Sequence, residues 1–291
     1  MRNSQLKKAL HFLWSTYSSI SVYSKFLLLF SLFHFSYTNL FCQNNITTPA
    51  GARGIGTGNA NITYTDIHSA FNNQAGLAYL EKFSANTFIE NRFLLKELNL
   101  VAIAIAHPTK LGTWGMILQQ FGFKDFQEQK IGFNYSRQLF KKMAIGAQFD
   151  FLNTRIASFG SDQILTFEIG LHFNLTPKII AGVHVYNPIR SKIGRNSLPS
   201  IFQVGMTYQV SESLNLSGSI EKDVLLPFNL RLGLEYCFQE KIQFQAGVNS
   251  NPNRYSIGVG YHLKSIQINV AASFHTVLGT SPAFGLTYKI K

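Results

Sequence analysis

The feature that most constrains the fold is a strict alternation of apolar and polar residues. In the segment Thr166–Leu175, apolar side chains occupy every second position, and polar residues or glycine occupy the positions between them. A period of two is typical of a β-strand with two faces of opposite character. The pattern returns in segments 228–238, 242–248, 255–263 and 266–274. The chain is therefore predicted to be all-β.

The length of the alternating segments indicates the solvent that the strands face. Residues 83–291 divide into about 14 strands of roughly 9–13 residues, close to the length that a tilted membrane strand needs. Charged residues make up only 14% of the chain, and aromatic residues also make up 14%. Soluble domains usually carry ~25% charged residues. We therefore predict a transmembrane antiparallel β-barrel of about 14 strands, with the apolar rows toward lipid and the polar rows enclosed. The expected strands are 83–93, 98–107, 111–122, 128–136, 141–153, 163–175, 178–187, 199–210, 213–221, 227–238, 241–250, 253–263, 265–275 and 282–290.

The links between the expected strands suggest an orientation. Short turns alternate with longer links, which are predicted at 155–162, 187–199, 221–227, 249–254 and 275–283. Outer-membrane barrels have short periplasmic turns and longer external loops. Because an even number of strands brings both chain ends to one side, we expect both termini in the periplasm of a Gram-negative cell.

The first 42 residues are predicted to be a signal peptide. Basic residues precede an apolar core at Phe26–Phe35, which is too short to span a bilayer as a helix. We place cleavage after Cys42; acylation of Cys42 as a lipoprotein is the rival interpretation, although Asn39–Phe41 match such a signal poorly. After cleavage Cys237 is the only cysteine, so an intramolecular disulfide is excluded.

The formal net charge of +12 does not indicate nucleic-acid binding. Such binding needs basic residues clustered in a patch or stripe, whereas here they are scattered between the expected strands. Charge complementarity to outer-membrane lipid headgroups is the simpler explanation, and no nucleic-acid partner is expected.

Ionisable residues in the polar rows are the candidates for function inside the lumen. Isolated charges there either brace the barrel or tune its selectivity. The turn Thr176–Lys178 sets a register that pairs Gly170 with His184, which places His172 and His184 diagonally on neighbouring strands. Two imidazoles without a third ligand do not predict a metal site. The lumen candidates are Asp150, Glu168, His172, His184, Arg231 and Glu235.

No motif for catalysis or cofactor binding stands out. The segment Gly54–Gly58 lacks the full G-x-G-x-x-G pattern, and no strand precedes it. The chain contains no G-x-S-x-G nucleophile motif. Neither an enzyme nor a cofactor is expected.

Two N-terminal segments carry a resemblance to a known family. The segment Asp66–Leu77 is similar to the pattern Asp-x-x-Ser-Ala-x-x-x-Asn-Pro-Ala-Gly-Leu of FadL-like outer-membrane proteins. The segment Gly51–Ile62 resembles the Gly-Ala-Arg-x-x-Gly-x-Gly-x-Ala opening of the same group. The group includes long-chain fatty-acid transporters and the PorV/PorQ-like barrels of Bacteroidetes, which are tied to type IX secretion. The matching region covers about 30 residues, so the rest of the chain agrees only in strand number and rhythm.

The resemblance implies a 14-stranded barrel whose N-terminal segment folds into the lumen as a hatch. It divides the chain into a signal peptide (1–42), a hatch or plug (43–82) and a transmembrane barrel (83–291). One position departs from the family pattern, because Gln74 replaces the proline of Asn-Pro-Ala. Proline would fix φ and remove a backbone donor, and glutamine does neither. The implied hatch motif consists of Gly51, Arg53, Gly56, Gly58, Asp66, Asn73, Ala75 and Gly76.

Two functional hypotheses follow from the resemblance. In the first, the barrel passes a hydrophobic small molecule through its plugged lumen. In the second, it is a docking barrel that binds an envelope or secretion-system protein. A simple diffusion pore is a third interpretation, which the expected plug disfavours.

Overall fold

The computed structural model describes residues 51–193, 196–224 and 226–290. The predicted signal peptide lies outside these residues. In the part of the chain that is described, no helix combines the length and the apolar character required to cross a membrane.

Fourteen antiparallel strands of the described residues form a closed barrel, which confirms the predicted fold class. Each strand pairs with its neighbours in sequence, β7 (Ile179–Tyr186) pairs with β10 (Ile201–Gln209), and β16 (Gly279–Lys289) closes the barrel on β1 (Ser84–Asn91). A separate two-stranded sheet, β8 (Lys192–Ile193) with β9 (Asn196–Ser197), lies in the link between β7 and β10. The barrel strands are β1 (Ser84–Asn91), β2 (Asn99–Thr109), β3 (Gly112–Phe123), β4 (Phe126–Phe140), β5 (Met143–Ile156), β6 (Gly160–Asn174), β7 (Ile179–Tyr186), β10 (Ile201–Gln209), β11 (Leu214–Asp223), β12 (Asn229–Phe238), β13 (Ile242–Ser250), β14 (Asn253–His262), β15 (Ile266–His275) and β16 (Gly279–Lys289).

The alternation in sequence becomes an alternation between lumen and outer wall. In β12, the side chains of Arg231 and Glu235 are 5% and 6% exposed, whereas Leu232 and Leu234 between them are 48% and 39% exposed. The other strands repeat this order almost throughout. A wall of exposed aliphatic and aromatic side chains is stable against hydrocarbon rather than water.

The prediction of long links is wrong at three places. The links after β5, β13 and β15 are tight turns at residues 157–159, 251–252 and 276–278. Strands β6 and β16 begin earlier than predicted, because Gly160 and Gly279 adopt positive φ angles of 101° and 94° within the hairpins and do not end the pairing. The longer links at this end cover residues 92–98, 187–200 and 224–228. We call this the loop end, and the opposite end, where Ser84 pairs with Lys289, the turn end.

Residues 51–82, here called the hatch, lie against the inner wall. The hatch contains helix α1 (Ala52–Gly56) and two 3₁₀ helices, Ile67–Phe71 and Gln74–Tyr79. Helix α1 contacts β13–β16 and β1, the first 3₁₀ helix contacts β1–β3, and the second contacts β3–β6. The hatch therefore reaches across the lumen.

Asp66 is the N-cap of the first of these 3₁₀ helices. The Asp66 carboxylate accepts a hydrogen bond from the backbone of His68 at 3.0 Å. The helix ends at Phe71 because Asn73 caps a second 3₁₀ helix, accepting from the backbone of Ala75 at 3.2 Å. The aspartate cap and the asparagine cap each begin a helix, so this segment forms two short helices instead of one continuous helix.

Candidate functional site

The first polar contact between hatch and wall is centred on Arg53. Its Nε and Nη2 atoms donate to the Glu235 carboxylate at 2.8 and 2.6 Å, and Nη1 donates to Asp66 at 2.5 Å. The guanidinium also lies over the Tyr64 ring, 4.2 Å from its centroid. A bidentate pair of this kind is directional as well as strong. Two predicted hatch residues and one predicted lumen charge therefore form one cluster, which we call the arginine latch (Arg53, Asp66 and Glu235).

Arg53 and Asp66 of the arginine latch stay charged over a wide pH range. Burial by itself would raise the pKa of the Asp66 carboxyl, but the Arg53 guanidinium overrides this effect and lowers the pKa to about 2. For Arg53, burial would lower the pKa, and the Glu235 carboxylate reverses that effect and raises it. Opposite charges at hydrogen-bonding distance favour the ionised form of each other.

His68 is a buried neutral residue next to the latch. Its side chain is 1% exposed, and burial lowers the pKa of the imidazole to about 4. Its Nε2 atom lies 3.3 Å from Oγ1 of Thr287 on β16. At this buried position a charged imidazolium has no water shell to stabilise it. Protonation of His68 therefore opposes hatch docking.

The second polar contact is centred on Glu168 of β6. Gln74 of the hatch donates to its Oε2 atom at 2.7 Å, and His184 Nε2 lies 2.9 Å from the same oxygen. Lys130 donates to the other carboxylate oxygen and lies 3.3 Å from Asp150. All five side chains are buried. We call this group the glutamate cluster (Gln74, Lys130, Asp150, Glu168 and His184).

Gln74 and Lys130 were missed in the sequence analysis. Lys130 could have been found, because it continues the polar row of β4 with Glu128 and Asn134. Gln74 was noted only as a departure from the family pattern. Its role depends on Glu168, which is distant in sequence, so no local signal identifies it.

The predicted register around His172 and His184 is confirmed. Gly170 pairs with His184, and His172 pairs with Gly182. The two imidazoles have different partners, because His172 Nε2 contacts the backbone oxygen of Thr63 at 3.2 Å. Within the described ranges, no three His, Cys, Asp or Glu side chains are grouped so that they could hold a metal ion.

Arg231 and Asn73 hold other parts of the interior. Arg231 is separate from the arginine latch and pairs with Glu221 at 2.5 Å. The Asn73 side chain donates to the backbone oxygens of Ile62 and Leu171, at 2.9 and 3.0 Å, and so ties two parts of the hatch to β6.

Glycines in the wall allow the hatch to approach the strands closely. A Cβ atom at Gly146 would lie 2.3 Å from the backbone nitrogen of Ala75, and one at Gly247 would lie 2.2 Å from that of Gly58. Real Cβ atoms essentially never come so close to a backbone atom. Glycines in the polar rows of these strands therefore provide room for the hatch backbone.

The hatch glycines of the predicted motif are also placed at close contacts. A Cβ atom at Gly76 would lie 1.9 Å from the backbone oxygen of Tyr64, and one at Gly56 would lie 2.7 Å from the side chain of Gln245. Gly51 precedes α1 with a φ angle of 125°, a conformation that L side chains rarely adopt. These positions require glycine for steric reasons.

One wall of the lumen is apolar, contrary to the expectation of a polar row in every strand. The inward-facing side chains of β2 are Leu100, Ala102, Ala104 and Ala106, each at most 1% exposed. They belong to one apolar cluster with the hatch residues Ile67, Ala70 and Phe71. The outward-facing Val101, Ile103 and Ile105 are apolar as well, so residues 100–106 lack the usual alternation. We call this wall the apolar stripe; its members are Phe88, Leu100, Ala102, Ala104, Ala106, Ile117, Phe121 and Leu152.

The architecture of this chain is similar to that of several solved structures. No protein-family model matches the chain, and no curated protein matches it. Among solved structures, the chain is similar to the CymD monoaromatic hydrocarbon channel, with 13% identity, a TM-score of 0.66 and coverage of 84% of this chain and 98% of that chain. It is similar to the Ralstonia pickettii toluene transporter TbuX, with 12% identity, a TM-score of 0.63 and coverage of 83% and 98%. A Pseudomonas aeruginosa FadL homologue matches with 13% identity, a TM-score of 0.61 and coverage of 83% and 98%. The chain therefore has the fold of the FadL-type barrels.

Proposed function

We propose that this protein is a channel of the Gram-negative outer membrane that passes a hydrophobic small molecule through its plugged lumen. The observation that carries the proposal is the apolar stripe. It runs along β2 from Leu100 near the loop end to Ala106 near the turn end. An apolar molecule gains burial along such a surface, because the inward-facing side chains of β2 themselves carry no polar group that would have to be desolvated.

The hatch supplies the gate in this proposal. It packs on the apolar stripe through Ile67, Ala70 and Phe71, and it is held on other strands by the arginine latch and the glutamate cluster. When the hatch moves, its side chains leave the apolar stripe, and buried apolar area is lost. A hydrophobic molecule that takes their place covers the stripe again and restores that area. The two polar contacts then decide how far the hatch can move.

The proposed topology follows the fold. Residues 1–42 direct export, residues 43–82 form the hatch, and residues 83–291 form the barrel. Both termini lie in the periplasm, because both ends of the barrel sequence are at the turn end.

The roles that we propose for the predicted site residues are hatch packing for the glycines and Ala75, anchoring for Arg53, Asp66, Asn73 and Glu235, and interior bracing for Asp150, Glu168, His172, His184 and Arg231.

The class of ligand is proposed from chemistry and from similar structures. CymD is a monoaromatic hydrocarbon channel, and TbuX is a toluene transporter. The alanine side chains along β2 are small, so a slender or flat apolar molecule fits against them when the hatch moves away. Toluene and a long-chain fatty acid are therefore the two probes to compare.

Uptake by cells that express the full chain tests the proposal. A Gram-negative host with the wild-type protein should accumulate radiolabelled toluene or oleate faster than the same host with an empty vector. The variant Ala104→Asp places a charge on the apolar stripe and should remove this gain. The matched control Ser219→Asp places the same charge in the polar row of β11, opposite Arg231, and should retain it. Uptake by the wild type equal to that of the empty vector, or uptake unchanged in Ala104→Asp, would overturn the proposal.

The docking hypothesis has no specific support in this geometry. None of the similar structures described above belongs to the PorV/PorQ-like branch, and a role in type IX secretion stays a prediction. Pull-down of the folded protein from membranes, with lipid analysis of the same sample, separates the two roles. A stoichiometric protein partner without bound ligand would favour docking.

A further inference from the structure

We propose that the outer wall of β2–β6 carries a specific site for an anionic glycerophospholipid. The site is separate from the lumen and does not depend on the passage of a molecule through it. The proposal requires only that the outer wall of the barrel faces the acyl chains of a membrane.

The wall has a large apolar hollow in this region. The hollow has a volume of about 650 Å³, within the range of about 300–1,000 Å³ for small-molecule sites. Its depth comes from the outward-facing Ala147, because the side chains around that residue are large. Its outward-facing lining includes Ile105, Trp114, Met116, Phe133, Tyr135, Phe149 and Phe167.

The strand register arranges these side chains in two rows. Met116, Phe133, Phe149 and Phe167 pair across β3–β6 and form the row nearer the loop end. Trp114, Tyr135 and Ala147 pair across β3–β5 and form the row nearer the turn end. The Trp114 and Tyr135 rings are 4.6 Å apart, and Tyr135 donates to the backbone oxygen of Leu111 at 2.7 Å. The hollow is thus apolar at its middle and has an amphipathic aromatic pair toward the turn end, the arrangement that suits the headgroup boundary of a bilayer.

Basic residues follow directly beyond the aromatic pair. Arg137 is the next outward-facing residue of β4 after Tyr135, and it pairs with Ile145 of β5. Lys141 and Lys142 form the turn between β4 and β5, and Lys110 lies in the turn between β2 and β3. All four side chains are exposed. The segments 107–114 and 135–145 contain no aspartate or glutamate, so the turns beside the aromatic pair carry only basic charge. At the β1 edge, the exposed Glu81 and Lys82 precede the lining residue Phe83 and offset each other in charge.

A second hollow on the same barrel shows that an apolar wall alone does not produce this charge pattern. It lies on the outer wall of β11–β14, has a volume of about 430 Å³ and surrounds the outward-facing Ala246. The adjacent turns at its turn end carry Glu212, Glu240, Lys241 and Lys264, all exposed, so its rim is mixed in charge. The two hollows therefore share their apolar character and differ in the charge of the rim.

This difference identifies the occupant. Acyl chains alone would fill both hollows equally, because neither lining selects a headgroup. A phosphate-bearing headgroup at the boundary gains charge-assisted contacts only at the first hollow, and each basic residue near the surface strengthens the attraction to anionic lipid. Long basic side chains at this depth extend toward the headgroups while their stems stay against apolar surface.

Native mass spectrometry of the purified full chain in detergent tests the site. The probes are dioleoylphosphatidylglycerol and dioleoylphosphatidylcholine, which share acyl chains and differ in headgroup charge. Wild-type protein should retain one phosphatidylglycerol molecule in preference to phosphatidylcholine. Ala147→Trp fills the hollow and should abolish this retention, whereas the matched control Ala246→Trp fills the second hollow and should leave it unchanged.

A second variant separates lipid binding from folding. The double substitution Lys141→Gln/Lys142→Gln changes only an exposed turn and should lower the preference for phosphatidylglycerol by about tenfold. Circular dichroism of every variant confirms that the barrel has formed. The proposal is overturned if wild-type protein retains both lipids equally, if Ala147→Trp and Ala246→Trp behave alike, or if the double variant keeps the wild-type preference.

Discussion

The two sides of the lumen hold the hatch by different forces. On β6, β10 and β12 the hatch is bound through directed polar contacts, including Gln74 to Glu168, Thr63 to Thr207 at 2.5 Å, and Arg53 to Glu235. On β1–β3 it is bound by apolar packing against the apolar stripe. Polar contacts specify one position of the hatch, because their strength falls steeply with distance and angle. Apolar packing is not directional, so that side can separate and take another apolar surface in exchange.

This contrast suggests a division of labour within one plug. The polar side determines where the hatch is anchored, and the apolar side provides the surface that a ligand would share. Thiol labelling of the hatch tests this contrast. The reporter is Ala70→Cys in a Cys237→Ser background, since Ala70 is fully buried on the apolar side.

Removal of the arginine latch should have the largest effect. Arg53→Ala leaves the Asp66 and Glu235 carboxylates without their partner, a change that costs about 3 kcal/mol for a mostly buried pair. Labelling of the reporter should accelerate by about a hundredfold. The control Arg155→Ala removes an exposed arginine from β5 and should change the rate little. Equal rates in the two variants would show that the latch does not hold the hatch.

Acidification should weaken hatch docking through His68. Its pKa in the docked state, about 4, is below the ordinary value, so the contribution of neutral His68 is fully present above about pH 6.5 and is lost as the pH falls toward 4. The total loss is at most about 3 kcal/mol. Reporter labelling, measured with a reagent whose intrinsic rate is corrected for pH, should therefore rise between pH 7 and pH 4.5. In the variant His68→Gln this rise should be much smaller; the same rise in both proteins would assign the effect to another group.

A methyl group added to the wall should displace the hatch. Gly146→Ala places a Cβ atom against the backbone of Ala75, and such overpacking costs about 1–3 kcal/mol. The urea midpoint of the hatch transition, followed by reporter labelling, should fall. The control Gly218→Ala meets no atom closer than the Leu232 side chain at 3.4 Å and should leave the midpoint near that of the wild type. A midpoint for Gly146→Ala equal to that of the control would mean that the wall yields instead of the hatch.

Restoration of the family proline should have the smallest effect. Gln74 is the first residue of a 3₁₀ helix, a position that accepts proline. Gln74→Pro loses the hydrogen bond to Glu168, which costs about 1–2 kcal/mol, but proline preorganises the backbone and recovers about half of this cost. Gln74→Ala loses the same bond without that gain. Reporter labelling should therefore rank the proteins as wild type, Gln74→Pro and Gln74→Ala from slowest to fastest, and a faster rate in Gln74→Pro than in Gln74→Ala would contradict this account.

Some parts of the site follow from sequence patterns and others do not. The register of His172 and His184 was predictable because a short turn fixes the pairing of two alternating strands. The membership of Arg53 and Asp66 in the hatch followed from the resemblance. The pairing of Arg53 with Glu235 did not, since 182 residues separate them and many polar-row positions were equivalent candidates.

The alternation and strand length of this chain were enough to specify a 14-stranded barrel with an apolar exterior, because a period of two places every side chain on one of two faces. The tertiary structure alone decided which lumen charges meet and where glycine is required. Those features depend on contacts between residues that are far apart in sequence, around a closed barrel and across its lumen. Local patterns carry no information about such contacts, because each polar position looks alike until the hatch lies against it.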